Sequence, residues 1–198
     1  ATAAGLRVLS IPIIDGKGVA KRVKASGGTK IEWIKGAKYD LGWVQDPDDN
    51  EIELRWYRGD ASEADLNRLE LCITANSLDA SARFYGEQLG LHELPTAELV
   101  GFPGTTRRFK VGESVLRIWN PGIELSKDTG FTMDGYGLRY VQFIVKDAYA
   151  LHTKLIESKA GIAQKPTPLG KSTTLLFAKD PDGVINECVE PARRTPEK

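Results

Sequence analysis

Apolar and polar residues alternate in some stretches of this chain and recur at helical spacing in others, and the two patterns follow one order that appears three times. Leu69, Leu71 and Ile73 alternate with Glu70, Cys72 and Thr74. Period two predicts a strand with one face packed and the other more polar. Asn76-Ser77 is a helix-start signal, the helix expected over 80–89 carries Phe84, Tyr85 and Leu89, and Gly90 stops it. Strands are expected near 91–94, 106–111 and 114–119, the last two joined by a Gly112-Glu113 turn. The unit reads β-α-β-β-β.

The same order precedes and follows it. At the start, residues 7–14 predict a strand with Pro12 near its end or at a sheet edge, Asp15 opens a helix, and Val19-Ala20-Lys21-Arg22-Val23-Lys24-Ala25 leads to Gly27-Gly28. Strands over 30–34, 41–45 and 51–57 complete that unit. At the end, a strand over 140–145, a helix over 148–158 stopped by Gly161, and strands near 162–164, 173–178 and 184–189 make the third. The closing strands of the first and third units are entered by similar turns, Asp46-Pro47-Asp48 and Asp180-Pro181-Asp182-Gly183, and carry Glu53 and Glu187 in matching places. The predicted organisation is therefore a module at 1–58, a polar link at 59–67, modules at 68–120 and 137–192 joined by a connection at 121–136 with Pro121-Gly122 and Asp134-Gly135 turns, and a polar tail at 193–198. The class is α+β. One curved sheet with one helix cannot bury its concave face alone, so each module needs a partner.

Composition narrows the function classes. The 198 residues hold 27 Lys plus Arg against 27 Asp plus Glu, a net charge of zero. No basic stripe argues for nucleic acid, and Arg107-Arg108 and Arg193-Arg194 are isolated pairs. No apolar run approaches the roughly 20 residues of a membrane helix, so a soluble chain with no membrane span is expected. Cys72 and Cys188 form no CxxC pair, which fits a reducing compartment, cytoplasmic or an organellar stroma or matrix. Residues 1–5 are small-residue rich, as a processed terminus or a lead-in would be.

Ser81-Ala82-Arg83-Phe84-Tyr85 followed by Gln88-Leu89-Gly90-Leu91, together with the two Asp-Pro-Asp strand entries, resembles the vicinal oxygen chelate superfamily of glyoxalase I, bleomycin-resistance proteins and extradiol dioxygenases. The resemblance implies that two βαβββ modules pair into an open, curved, barrel-like sheet round one cavity with helices outside. In two-module relatives the Phe-Tyr type comes first and the Asp-Pro-Asp type second. Here the types run second, first, second, which resembles a four-module glyoxalase-like protein lacking its first module. Modules 68–120 and 137–192 are thus expected to pair, leaving 1–58 as an extra module for a protein partner or a second copy.

In metal-dependent members, the resemblance implies, the first and last strands of each paired module supply ligands. The matching positions are Glu70, Arg117, Tyr140 and Glu187, and in the first module Val8 and Glu53. Arginine offers only donors and repels a cation, and neutral tyrosine is a poor ligand, so neither metal nor other cofactor is expected. Arg117 would instead replace the metal charge by pairing with Glu70 and Glu187, with Tyr140 near. Val115, Arg117 and Trp119 share a face opposite Leu116 and Ile118, which supports that register. His92 and His152 lie outside it, which removes dioxygenase chemistry and a Ser-His-Asp triad. Gly170-Lys171-Ser172-Thr173 ends like a phosphate loop, but Lys165 stands at the required first glycine and a strand follows.

Two functions fit these residues. In the first, a non-metal protein binds a small molecule in a cavity lined by Glu70, Cys72, Thr74, Arg117, Trp119, Tyr140, Gln142 and Glu187, or serves in protein assembly. In this cavity Cys72 is a small filler rather than a nucleophile. In the second, the protein is a glyoxalase-type lyase or isomerase, with Glu187 or Glu70 as general base and Arg117 as the electrophile that stabilises an enediolate.

Overall fold

A computed structural model describes residues 3–59, 61–95, 105–127, 130–131 and 137–192. The first module contributes β1 (Gly5–Ile13), α1 (Gly16–Ala25), β2 (Asp40–Gln45) and β3 (Glu51–Trp56). A one-turn helix, α2 (Glu63–Leu66), leads into the second module of β4 (Glu70–Thr74), α3 (Leu78–Ala82), β5 (His92–Leu94), β6 (Thr105–Val111) and β7 (Ser114–Asn120). The third holds β8 (Tyr140–Ile144), α4 (Ala148–Glu157), β9 (Gly161–Leu169), β10 (Thr173–Lys179) and β11 (Ile185–Glu190). The strands form two open sheets, one of seven in the order β2-β3-β1-β4-β7-β6-β5 and one of four in the order β8-β11-β10-β9. This is the α+β arrangement of repeated modules. Among the described residues no helix is long and apolar enough to cross a membrane.

The pairing of modules differs from the expectation. The first module joins the second: β1 runs antiparallel to β4 with Ser10 opposite Glu70 and Val8 opposite Cys72, and β4 continues parallel to β7. In the third module β8 is an edge strand, bonded among the described residues to β11 alone. The unpartnered face therefore belongs to residues 137–192, not to 1–58. The physical reason is that alternation assigns a side chain to a face but leaves open which neighbouring edge completes the ladder.

Local departures have local causes. The strand expected over 30–34 is absent except for a single bridge between Ile34 and Leu41, because this segment runs past the sheet edge with Lys30 and Glu32 exposed. The polar link hides α2, capped by Ser62 and Asp65 in a reciprocal box. After α3 the helix widens into a π-helical stretch, Arg83–Gln88, and its Leu89 N–H reaches back to the Phe84 carbonyl at 2.8 Å. Residues 161–169 form a full strand, and Gly170-Lys171-Ser172 is its hairpin turn rather than a phosphate loop. The Asp134-Gly135 turn and the tail at 193–198 lie outside the described residues.

The second and third modules meet back to back through one core. Ile73, Phe84, Tyr85, Phe109 and Ile118 pack in the same cluster as Val141, Phe143, Leu155 and Leu176. The Asp180 turn is the polar clasp of that junction. Asp182 accepts both the backbone N–H and the side-chain amide of Asn76, each at 2.8 Å, and the buried Tyr85 hydroxyl donates to Asp180 at 3.1 Å. Asp180 Oδ1 accepts the N–H groups of Asp182 and Val184, and Gly183 takes φ 90°. The first-module turn repeats the bonding, Asp46 accepting from Asp48 and Asn50, with Asp49 at φ 62° where Gly183 stands. The two turns are one device used twice.

Burial pushes the Asp180 carboxyl up to about 7, against the two backbone donors that favour its charge. The folded state thus holds this proton more tightly than the unfolded chain does. Urea-unfolding stability is expected to fall as pH rises from about 4 to about 7 and to level off above that. Asp180→Asn keeps the acceptor for both N–H groups and flattens that slope, whereas Asp180→Ala lowers stability by about 1–3 kcal/mol.

Candidate functional site

Across the seam between the first two modules, strand register places one polar row on a single face. Ser10 lies opposite both Glu53 on β3 and Glu70 on β4, Cys72 lies opposite Arg117, and Arg117 lies opposite Arg108 on β6. Partners directly opposite in a ladder project to the same side. Two residues on along β3, at even spacing from Glu53, Arg55 joins the row. The result is a buried cluster of charges: Glu53 is 0% exposed, Arg55 1%, Glu70 3% and Arg117 2%.

The cluster is closely paired. Arg117 Nη2 donates to Glu53 Oε1 at 3.1 Å and Nη1 to Oε2 at 3.4 Å, while Arg117 Nε stands 3.5 Å from Glu70 Oε2. Arg55 Nη1 donates to Glu70 Oε1 at 3.0 Å, Arg108 reaches the same oxygen at 3.6 Å, and the Ser10 hydroxyl donates to Glu53 at 2.5 Å. Arg55 also donates to the Arg68 carbonyl and lies over the Tyr39 ring, 6.0 Å from its centroid. Burial by itself lowers the pKa of Arg117, and the field of Glu53 and Glu70 outweighs it, so the guanidinium is held charged. Beside the cluster a cavity of about 440 Å³ opens along Arg68, Arg108, Lys110 and Glu113.

The expected site residues are divided between the sheets. Glu70, Cys72, Thr74, Arg117 and Trp119 lie on β4 and β7, but Glu187, Tyr140 and Gln142 lie on the four-stranded sheet. Arg117 pairs with Glu53 and Glu70, not with Glu187 or Tyr140, because the first module supplies the facing strands. Cys72 is fully buried and its thiol is pushed up to about 12, mainly by burial, which suits a filler and not a nucleophile. Thr74 is structural, its hydroxyl donating to the Ala3 and Gly5 carbonyls that lead into β1. His92 is exposed and His152 half-buried, both away from the cluster.

Sequence reasoning missed Ser10, Arg55 and Arg108. Arg55 was within reach, since it follows Glu53 by two and shares its face. Ser10 lies two residues beyond the expected Val8 on the same face, and the register places Ser10 opposite Glu70 and Val8 opposite Cys72.

The family resemblance implies a divalent ion at this position. Ser10, Glu53, Glu70 and Arg117 offer two carboxylates already engaged by guanidinium groups, one hydroxyl and one fixed cation. That donor set does not fit a divalent ion. Among the described residues no group of three or more His, Cys, Asp or Glu is placed to hold one.

The third module presents a different face. Gln142 lies opposite Glu187 and its amide donates to that carboxylate at 2.7 Å. Along β8, Tyr140 is 42% and Ile144 69% exposed. This face carries an amide and a carboxylate with no cation from the first module.

Two curved modules joined at their first strands, with charged side chains on the shared concave face, define a glyoxalase-type fold. Residues 66–188 match the family model of the Glyoxalase/Bleomycin resistance protein/Dioxygenase superfamily, and the chain belongs to that superfamily. It is 29% identical over 188 residues to a probable chloroplastic lactoylglutathione lyase of Arabidopsis thaliana, covering 91% of this chain and 51% of that protein. It is also 29% identical over 127 residues to the lactoylglutathione lyase of Haemophilus influenzae, covering 62% of this chain and 90% of that one. The fold superimposes on glyoxalase I from Zea mays with a TM-score of 0.72 at 22% identity, over 96% of this chain and 68% of that one. The chain thus spans about half the length of its Arabidopsis relative.

Removing one partner from a buried charge cluster leaves the others uncompensated. Arg117→Ala is expected to lower unfolding free energy by roughly 3–5 kcal/mol, read from urea titration. The double variant Arg117→Met with Glu53→Gln loses less than the single one, since it removes a cation together with a carboxylate.

Proposed function

We propose that this chain is a glyoxalase-like protein whose centre between the first and second modules is a metal-free structural plug, and whose working surface is the open face of the third module. The single observation that carries this reading is the Arg117 guanidinium seated between Glu53 and Glu70. The cation supplies the charge that two buried carboxylates require, and it occupies the room a reacting substrate would need. Activity of the Glu70 and Arg117 kind, with Glu as base and Arg as electrophile, is disfavoured because both carboxylates are tied in ion pairs away from water.

The third module supports a role in assembly. An exposed first strand with Tyr140 and Ile144 outward is an edge that proteins normally cover, and β1 covers the equivalent edge of β4. Another βαβββ unit, from a partner or a second copy, fits that edge. The chloroplastic placement of the Arabidopsis relative, together with two buried free cysteines, supports a reducing organellar stroma.

A second reading rests on the Gln142–Glu187 pair. Two oxygen donors opposite one another on an open face fit half of a metal or general-base site, completed by the covering module. In that reading glyoxalase-type chemistry belongs to Glu187 and not to Glu70.

Two measurements test this. Elemental analysis of the purified chain is expected to find well under one equivalent of Ni, Zn or Fe, with no change in melting temperature on adding a chelator. Any isomerisation of the hemithioacetal of methylglyoxal and glutathione is expected to fall with Glu187→Gln. A stoichiometric metal lost with Glu70→Gln, or activity lost with a folded Arg117→Lys, returns the chemistry to the centre and overturns the plug.

A further inference from the structure

On the opposite side of the first module from the charged face lies a cavity of about 700 Å³ beside the start of α1. Its floor is aromatic. Trp33 and Trp56 meet with ring centroids 5.1 Å apart at 60°, and both are only half-buried. Neither ring could sit where it does beside a larger residue. A Cβ at Gly16 would fall 2.2 Å from the Trp56 ring, and one at Gly42 would fall 2.8 Å from the Trp33 ring. The Trp56 indole N–H is satisfied by the Ile14 carbonyl at 3.2 Å, which holds that ring in place. Among the described residues the Trp33 indole N–H has no such partner.

The rim is cationic. Lys17, Lys35 and Arg58 line the cavity. Among the described residues the one carboxylate in the lining, Asp40, is engaged by Arg58 and by the Gly36 N–H at 3.4 Å. Lys17 and Lys35 form no ion pair among the described residues and are exposed. Two free ammonium groups and a free indole donor thus border a fixed aromatic platform, a combination that recognises a planar ring carrying a negative group.

We propose that this cavity binds small aromatic carboxylates, the ring against Trp33 and Trp56 and the carboxylate on Lys17 and Lys35. The site is independent of the charged cluster and of the third-module face. Naphthoate is the probe and neutral naphthamide its control, followed through the four tryptophan indole N–H resonances, with Trp33→Phe assigning one of them. Naphthoate is expected to shift the Trp33 and Trp56 signals saturably and to leave Trp43 and Trp119 in place. Lys17→Gln with Lys35→Gln, two exposed changes that spare the core, weakens naphthoate about tenfold and leaves naphthamide unchanged. The proposal is overturned by non-saturating shifts, by movement of Trp43 or Trp119 instead, by equal affinity for acid and amide, or by undiminished naphthoate binding in the double variant.

Discussion

The seven-stranded sheet depends on one guanidinium. Arg117 sits where β1, β3, β4 and β7 bring a carboxylate from each of two modules to the same face, 3.1 Å from Glu53 and 3.5 Å from Glu70. Two carboxylates that close, each almost wholly removed from water, repel strongly and have lost their hydration, and a cation between them offsets both costs. A fixed side chain supplies it. Such a cation does not dissociate, does not exchange ligands and offers no empty coordination position, so it holds the seam without lending it Lewis-acid chemistry.

The same electrostatics accounts for which modules join. The first brings Glu53 with Arg55 two residues on, so its face adds a carboxylate and a cation together, and Arg55 is spent on Glu70 at 3.0 Å. The third brings Glu187 opposite Gln142, a carboxylate with only an amide. Set against Glu70, that face would bring a second carboxylate and no cation of its own. The third module instead meets the second through its helices and the Asp180 turn, where the donors are Asn76 and Tyr85 and the partners are already matched.

Much of this was legible along the chain. Alternation located nearly every strand, and Gly27 and Gly90 follow the first two helices at positive φ, because those signals are local; the third helix ends instead at Ser158 with Lys159 at φ 58°, and Gly161 opens β9. The repeated Asp-Pro-Asp turns, with Asp49 and Gly183 both at positive φ, were readable for the same reason. The face of Arg117 was also correct, since its neighbours Leu116 and Ile118 point the other way. What the chain did not disclose was the identity of the strand across the seam. That choice lies in edge pairing between residues far apart in sequence, and the register it sets puts Ser10, not Val8, opposite Glu70.

The repeat gives the open face its meaning. β1 and β8 open equivalent modules, and both modules close with a glutamate after an Asx-bonded turn. Yet the first module's Glu53 is wholly buried under a partner sheet edge, while Gln142 opposite Glu187 stands exposed along an edge strand. Backbone geometry is common to the two, so it cannot be what distinguishes a closed centre from an open one. The distinction lies in the cations. Arg55 and Arg117 accompany the burial of Glu53 and Glu70, whereas Glu187, itself 8% exposed, is met by the Gln142 amide.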